Sequence, residues 1–236
     1  MQILSISSQV TWGPVGNSAA VPAMMQKGYE VLALPTILLS NHPGHGLPEG
    51  TKLDPEILAR MLKRLEDLSA LEKLSGILTG YFAHAEQVHV MAEFIARHPN
   101  CLYLCDPVIG DEPKGLYVPE NIAHAIGNHL LPLAHISTPN HFEAQWFGEI
   151  KTPEIIFTSI PDGANLITQL QTENLKLTHR SLKRDHIPHG TGDLLSGLYL
   201  AARLRDGPAQ AFPAAMARLE AIIAKSIGEK GLVLSP

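Results

Sequence analysis

Six short apolar runs recur along the chain, and most are separated by stretches long enough to form a helix. The runs cover residues 3–6, 31–34, 76–79, 102–105, 134–136 and 155–158. Continuous apolar runs of this length are typical of strands buried on both faces, and strands that alternate with helices form mostly parallel sheets. The pattern therefore predicts a three-layer αβα fold, with a mostly parallel central sheet and helices on both of its faces.

Caps and apolar stripes predict three helices. The clearest covers residues 54–71, because Asp54, Pro55 and Glu56 supply an N-cap, a proline at the first helical position and an early acid. Apolar residues at helical spacing follow these signals and form one stripe, which we assign to the core. Two further helices are predicted over residues 83–97 and 209–225.

The chain after residue 158 departs from this alternation. Residues 165–170 and 175–179 predict a hairpin whose antiparallel strands lie at one edge of the sheet. Irregular segments are predicted at residues 12–16, 41–50 and 109–119, where loops follow strands. Ligands of parallel sheets bind at the carboxyl ends of the strands, so we expect a ligand site among these loops. Because no linker separates the elements, residues 1–236 are expected to form a single domain.

Composition narrows the class of partner. The net charge is −5, and no Lys/Arg cluster is longer than a pair or triad, which argues against a nucleic-acid partner. No apolar run approaches the ~20 residues that span a bilayer, and the first residues lack the basic region of a secretory signal. Cys101 and Cys105 would lie ~13 Å apart along a strand, too far for a disulfide. We therefore expect a cytoplasmic protein with no membrane partner.

The strongest chemical signal is the sequence Gly-Thr-Gly-Asp at residues 190–193, which precedes an apolar run that begins a helix. Glycines at such a junction let the backbone turn tightly and aim the free N–H groups of the helix start at an anion such as phosphate. A carboxylate there would repel a resting phosphate, but Asp193 has a role if it accepts a proton from a hydroxyl that attacks the phosphorus. The alternative is a glycine turn in which Asp193 only caps the helix.

Other polar side chains follow predicted strands. Asp106 and Asp111 follow the fourth strand, where acids can hold a divalent metal through water or a monovalent ion through oxygen; the alternative is a strand end followed by a turn. Asn140 and Glu143 share one side of a predicted helix start and could organise water around Mg²⁺. For these two alone, an N-cap with Glu143 in the capping-box position is the favoured interpretation. Ser8 ends the first strand and offers a hydroxyl to a substrate.

Several familiar motifs are missing from the sequence. It contains no GxxxxGK[ST] loop, which excludes the usual P-loop nucleotide fold, and no HExxH or GxSxG motif. The twelve histidines are scattered along the chain, and we interpret most of them as solvated or structural.

Taken together, these segments resemble the ribokinase superfamily and, within it, the pyridoxal kinase family of vitamin B6 kinases. The similar stretches are spread over nearly the whole chain and comprise residues 8–10 with 16–20, 40–42, 105–111, 138–143 and 190–193. The resemblance implies a single ribokinase-like kinase domain that acts as a cytoplasmic homodimer. It also implies vitamin B6 salvage, in which Mg²⁺ assists transfer of the ATP γ-phosphoryl group to the 5′-hydroxymethyl of pyridoxal, pyridoxamine or pyridoxine.

The resemblance also implies roles for individual residues. Asp193 would be the general base, and the N–H groups of Gly190, Thr191 and Gly192 would hold the charge that develops on the transferred group. Ser8 would contact the pyridine ring. By the same resemblance, three residues would face the phosphates and Mg²⁺, partly through water: Asp106, Asn140 and Glu143. Asp111 and Thr138 would bind K⁺ or Na⁺. Thr158, Ser159 and Thr191 would lie beside the nucleotide.

Two features depart from the family pattern. Family members usually continue residues 40–42 with Thr and, two places on, Tyr, whereas this chain has Pro43 and His45. Pro43 offers neither a hydroxyl nor an N–H, so the substrate contact usually made there is either lost or replaced by His45. The 50 positions from Asn140 to Gly190 are fewer than the family pattern implies, and the shortening falls where the adenine and ribose are usually covered.

These departures keep two alternatives open. The first is a hydroxymethylpyrimidine kinase, which shares the catalytic parts and acts on a similar heteroaromatic hydroxymethyl group. The second is a relative that binds B6 compounds or nucleotide without turnover.

Overall fold

The computed structural model describes residues 1–234 and confirms the predicted three-layer αβα fold. Ser235 and Pro236, at the end of the predicted single domain, lie outside the described residues. The strands are β1 (Gln2–Trp12), β2 (Glu30–Asn41), β3 (Gly50–Lys52), β4 (Leu74–Thr79), β5 (Leu102–Cys105), β6 (Gly110–Asp111), β7 (Gly115–Leu116), β8 (Ile136–Ser137), β9 (Glu154–Asp162), β10 (Asn165–Thr172) and β11 (Lys176–Leu182). The helices are α1 (Asn17–Gln26), α2 (Pro55–Asp67), α3 (Ala85–Arg97), α4 (Glu120–Ala125), α5 (His141–Phe147), α6 (Thr191–Arg203) and α7 (Pro208–Ser226).

The central sheet has the strand order β11-β10-β9-β8-β5-β4-β1-β2-β3, and its strands from β9 to β2 are parallel. The hairpin β10–β11 is antiparallel at one edge, as predicted. Another antiparallel strand, β3, closes the opposite edge and was missed. Its three residues are all exposed and begin with Gly50, so no apolar alternation marks them as a strand.

Two helical layers cover the faces of the sheet. Helices α1, α6 and α7 pack on the face that carries Ile3 of β1, and α2, α3 and α4 pack on the face that carries Leu4. Successive side chains of a strand point to opposite faces, so a continuous apolar run supplies both layers. Within residues 1–234, no helix is both long and apolar enough to cross a membrane.

Helix α2 begins as predicted and ends early. The Asp54 carboxylate accepts hydrogen bonds from the N–H groups of Glu56 at 2.8 Å and Ile57 at 3.2 Å, which satisfies two free donors of the first turn. The helix ends at Asp67 rather than at residue 71, because Ser69 adopts a left-handed backbone with φ 54° that a helix does not continue. The other two predicted helices match α3 and α7 within two residues at each end.

A buried ion pair ties the end of α6 to the start of β9 and gives a stability prediction. The Glu154 side chain is 7% exposed and accepts hydrogen bonds from the Tyr199 hydroxyl and, at 3.1 Å, from Arg203 Nε. Glu154→Gln removes one charge and leaves Arg203 without its partner, so we expect the free energy of unfolding to fall by about 3 kcal/mol. Urea denaturation measures this change.

The matched control for this variant is Glu149→Gln, which breaks an exposed pair with Lys151 whose side chains are 79% and 80% exposed. Exposed pairs contribute little, so the control should change the free energy of unfolding by less than about 1 kcal/mol. Equal losses of unfolding free energy in the two variants would show that the Glu154–Arg203 pair stabilises the fold no more than an exposed pair does.

Candidate active site

The N-terminus of α6 has free backbone N–H groups that are open to an anion. Gly190 precedes the helix with a left-handed backbone, φ 96°, and a Cβ at this position would lie 2.2 Å from the Pro14 carbonyl oxygen. Only glycine fits such a close approach. Thr191 and Gly192 follow as the first helical residues, where N–H groups have no partner within the helix. A Cβ on Gly192 would meet no protein atom within 4 Å, so the space in front of this turn is open to a ligand.

Asp193 lies in the first turn of α6 and points towards the loop after β1. Burial raises the pKa of its carboxyl to about 6, although the N–H groups of Gly16 and of Asp193 itself favour the charged form. The group is therefore mostly ionised at pH 7 and close enough to that pH to accept and release a proton.

Asp193 and Asp106 line the same small cavity at the carboxyl ends of β1 and β5, together with Ser7 and Ser196. The cavity has a volume of about 10 Å³, enough for about one water molecule. Asp106 is buried and accepts a hydrogen bond from Ser196 at 3.0 Å. Burial and, second, the charge of Asp193 raise the pKa of Asp106 to about 8. Two ionised carboxyls this close repel each other, so a cation bound beside them would stabilise their charged forms.

Asn140 and Glu143 form the capping box that the sequence favoured for them. The Asn140 side chain accepts from the Glu143 N–H at 3.0 Å, and Glu143 Oε2 accepts from the Asn140 N–H at 2.8 Å. The second Glu143 oxygen accepts from the Ile109 N–H at 3.1 Å. Burial, followed by the charge of Asp106, raises the pKa of Glu143. Glu143 therefore caps α5 and also belongs to the group of buried acids.

Asp111 stands in the small hairpin β6–β7. Its Oδ1 is buried and has no hydrogen-bond partner, and its Oδ2 lies 3.9 Å from Lys114 Nζ. A buried oxygen without a donor fits a cation ligand. Thr138, which the resemblance pairs with Asp111, shares a hydrogen bond with Ser196 at 2.9 Å and so lies on the Asp106 side of the site.

No three His, Cys, Asp or Glu side chains of residues 1–234 are arranged as a ready-made metal site. The acids present are hard oxygen donors, and one of their oxygens is buried without a partner. They therefore suit Mg²⁺ that keeps several waters and binds substrate phosphates, rather than a metal held in an all-protein cage.

Thr158 and Ser159 lie beside the turn that leads into α5. The Thr158 N–H donates to the Pro139 carbonyl at 2.9 Å, and Thr158 forms an isolated bridge with Asn140. Ser159 is exposed and has a left-handed backbone, φ 57°, close to a register shift between β9 and β10. Bulges with such unusual backbone are common where a strand passes a functional site.

The substrate-side residues surround the loop after β1. Ser8 is buried and its hydroxyl lies against Gly16, where an added Cβ would be 2.3 Å from Ser8 Oγ. The serine that lines the cavity with Asp193 is Ser7. Pro43 is exposed in a short 3-10 turn. His45, at the end of that turn, stacks on Trp12 with ring centroids 4.5 Å apart.

Three of the twelve histidines gather at this point, which the sequence analysis did not predict. The His42 ring lies 4.3 Å from that of His189, the residue before Gly190, and 6.1 Å from that of His45. Burial first, and then the neighbouring His189 and His45, lower the pKa of His42 to about 4, so its ring is neutral at pH 7. Of these three histidines, only His42 belonged to a stretch that carried the family resemblance. The order of the strands in the sheet brings His189 close to His42, and the spacing of the two residues in the sequence does not indicate it.

The chain is similar to a known family, to curated relatives and to solved structures. The family model described as phosphomethylpyrimidine kinase matches residues 23–158. Pyridoxal kinase PdxY of Vibrio vulnificus is 32% identical over 240 residues, which cover 89% of this chain and 82% of the relative. Pyridoxine/pyridoxal/pyridoxamine kinase of Bordetella avium is 42% identical over 145 residues, which cover 60% of this chain and 49% of the relative. The structure of pyridoxal kinase from Leishmania donovani in complex with ADP and pyridoxamine superposes with a TM-score of 0.89 at 28% identity, over 99% of this chain and 92% of that one.

Proposed function

This chain belongs to the pyridoxal kinase family of the ribokinase superfamily, and we propose on that premise that it uses ATP to phosphorylate the 5′-hydroxymethyl of pyridoxal, pyridoxamine or pyridoxine. The observation that carries the proposal is the position of Asp193, a carboxyl with a pKa near 6, beside the open N-terminus of α6. A base next to an anion-binding turn is what phosphoryl transfer to a hydroxyl requires.

In this proposal Asp193 accepts the proton of the vitamer hydroxyl as that oxygen attacks the γ-phosphorus. The N–H groups of Gly190, Thr191 and Gly192 donate hydrogen bonds to the charge that develops on the transferred group. Such fixed donors can supply several kcal/mol, because they need no reorganisation during the reaction. Ser8, Pro43 and His45 surround the vitamer ring.

The buried acids face the nucleotide in this proposal. Asp106, Asn140 and Glu143 would face the phosphates and hold Mg²⁺, partly through water, and Mg²⁺ would offset the charge of the phosphates. Thr158, Ser159 and Thr191 lie beside the nucleotide. The single domain acts in the cytoplasm as a homodimer.

The unpaired oxygen of Asp111 gives a prediction about the monovalent ion. With Thr138, Asp111 is proposed to bind K⁺ or Na⁺. Asp111→Asn removes the charge of a carboxylate that has one buried oxygen without a partner, so the concentration of the monovalent ion that gives half-maximal activity should rise by roughly tenfold or more. Titration of KCl and NaCl at constant ionic strength measures it. Asp67→Asn, at an exposed ion pair on α2, is the control and should leave the titration unchanged.

The experiment that tests the proposed function is a comparison of substrates. The protein is incubated with MgATP and, separately, pyridoxal, pyridoxamine, pyridoxine or hydroxymethylpyrimidine, and each phosphorylated product is quantified. We expect a B6 vitamer to give the highest kcat/KM. The hydroxymethylpyrimidine kinase alternative is favoured by the family-model match and by Pro43, and a higher kcat/KM for hydroxymethylpyrimidine would establish it instead.

A second alternative is binding without turnover, which the short span between Asn140 and Gly190 favours. Calorimetry that shows tight vitamer binding, with no product at high enzyme concentration, would establish that alternative.

A further inference from the structure

Lys114, in the turn between β6 and β7, pairs loosely with Asp111 and lies within Coulombic range of His189, the residue before Gly190. We propose that it contacts the phosphoryl group as that group passes from ATP to the vitamer, and is thus a further catalytic residue. The inference rests on the proposed function, because it concerns the same reaction.

The charge balance of the site requires a cation near the transferred group. The carboxyls of Asp106 and Asp193 line the cavity beside it, and Asp193 is mostly ionised at pH 7. A helix start contributes the equivalent of only about half a positive charge, and one Mg²⁺ offsets part of the charge of a triphosphate. Phosphoryl-transfer sites commonly complete this balance with a lysine or arginine that stabilises the charge of the transition state.

The surroundings of Lys114 place it where such a cation is needed. Its Nζ lies 3.9 Å from Asp111 Oδ2, on the side of the acids. Burial is the main cause of the lowered pKa of His42 and of His189, and the positive charge of Lys114 adds to both shifts. Lys114 is therefore in contact with Asp111 and within Coulombic range of His189, the residue before Gly190.

Lys114 is free to move towards a phosphate. Its side chain is 56% exposed, and at 3.9 Å its contact with Asp111 is too long for a hydrogen bond. The base of the hairpin is fixed, because Asn140 Nδ2 donates to the Gly110 carbonyl at 2.8 Å and the Ile109 N–H donates to Glu143. Because the hairpin is already fixed, only the side chain of Lys114 has to be ordered when it contacts a ligand.

The plainer interpretation is a solvated surface lysine, and the chain offers a matched control for it. Lys151 forms a similar loose pair with Glu149, at 3.5 Å, in the loop before β9. It is exposed and is not among the charges that lower the pKa of His42 or His189. Lys114→Met and Lys151→Met thus remove the same charge from two loose surface pairs, and only the first faces the site.

The test is steady-state kinetics of both variants. Lys114→Met should lower kcat/KM for MgATP by roughly ten- to a hundredfold, with the KM for the vitamer changed by less than about threefold. Lys114→Arg should recover part of the loss, and Lys151→Met should match the wild type. Two results would overturn the inference: rates of Lys114→Met within twofold of the wild type, or an effect confined to the vitamer KM, which would indicate contact with the vitamer.

A binding measurement separates this inference from the proposed function. Calorimetry compares the affinities of ADP and of a non-hydrolysable ATP analogue for the wild type and Lys114→Met. We expect the variant to lose more affinity for the analogue than for ADP, because only the analogue carries a γ-phosphoryl group. Equal losses of affinity for the two nucleotides, or no loss, would contradict the role of Lys114, whether or not the wild type phosphorylates a vitamer. Absence of turnover in the wild type would contradict only the proposed function.

Discussion

Asp193→Asn should lower kcat for pyridoxal phosphorylation by about a thousandfold, since a positioned base contributes between a hundred- and ten-thousandfold. An amide is isosteric with the carboxyl but cannot accept the proton of the vitamer hydroxyl. Calorimetry should show nearly unchanged affinity for ADP, because the substitution leaves the backbone donors of residues 190–192 in place. An unchanged kcat would mean that Asp193 is not the base. Asp185→Asn, at an exposed acid of the preceding loop, should have wild-type activity.

The same residue sets the pH dependence of the rate. Asp193 accepts a proton only when ionised, and burial raises its pKa to about 6. The fraction of active enzyme should therefore fall as the pH decreases through about 6 and reach a plateau above it. A profile of kcat against pH should show this acidic limb in the wild type and lose it in Asp193→Asn. An acidic limb retained in the variant would assign the titration to another group.

Gly190→Ala should give the second large loss, in both stability and activity. The new Cβ would lie 2.2 Å from the Pro14 carbonyl oxygen, and alanine disfavours the φ of 96° that Gly190 adopts. Relief of the clash must move either the loop after β1 or the start of α6, so we expect about 2–3 kcal/mol of lost stability. Displacement of the N–H donors should lower kcat by about a hundredfold, which is the effect of removing one oxyanion donor. Thermal unfolding and steady-state kinetics measure the two losses.

Gly192→Ala is the matched control for this prediction. A Cβ on Gly192 meets no protein atom within 4 Å, and alanine favours the first turn of a helix by up to about 1 kcal/mol. The melting temperature of this variant should be equal to or above that of the wild type. If Gly190→Ala and Gly192→Ala melt alike, the close approach to Pro14 does not restrict residue 190.

The layers of the fold followed from sequence because local signals determine them. Continuous apolar runs identified the parallel strands, and the Asp54 N-cap identified the start of α2. Gly190–Asp193 and the acids after the fourth strand were also recognisable, since carboxyl ends of parallel strands meet at one edge of a sheet. β3 was missed because three exposed residues carry no periodicity.

The side-chain contacts of the site depend on which strands are neighbours. His42 and His189 are far apart in the sequence, and nothing in the spacing of their segments indicates that their rings lie 4.3 Å apart. Ser196 bonds both Asp106 and Thr138 and was not identified, because in sequence it is only one more small residue on α6. The two interpretations of Glu143 proved compatible, since one buried carboxyl caps α5 and also lies close to Asp106.

The most direct test of the central claim is to follow the phosphoryl group itself. The protein is incubated with pyridoxal, Mg²⁺ and ATP labelled with ¹⁸O on the γ-phosphoryl group, and the products are analysed by mass spectrometry. The proposed reaction predicts pyridoxal 5′-phosphate that carries the label, formed by the wild type and almost absent with Asp193→Asn. Unphosphorylated pyridoxal, with the label retained in ATP or released as inorganic phosphate, would contradict it.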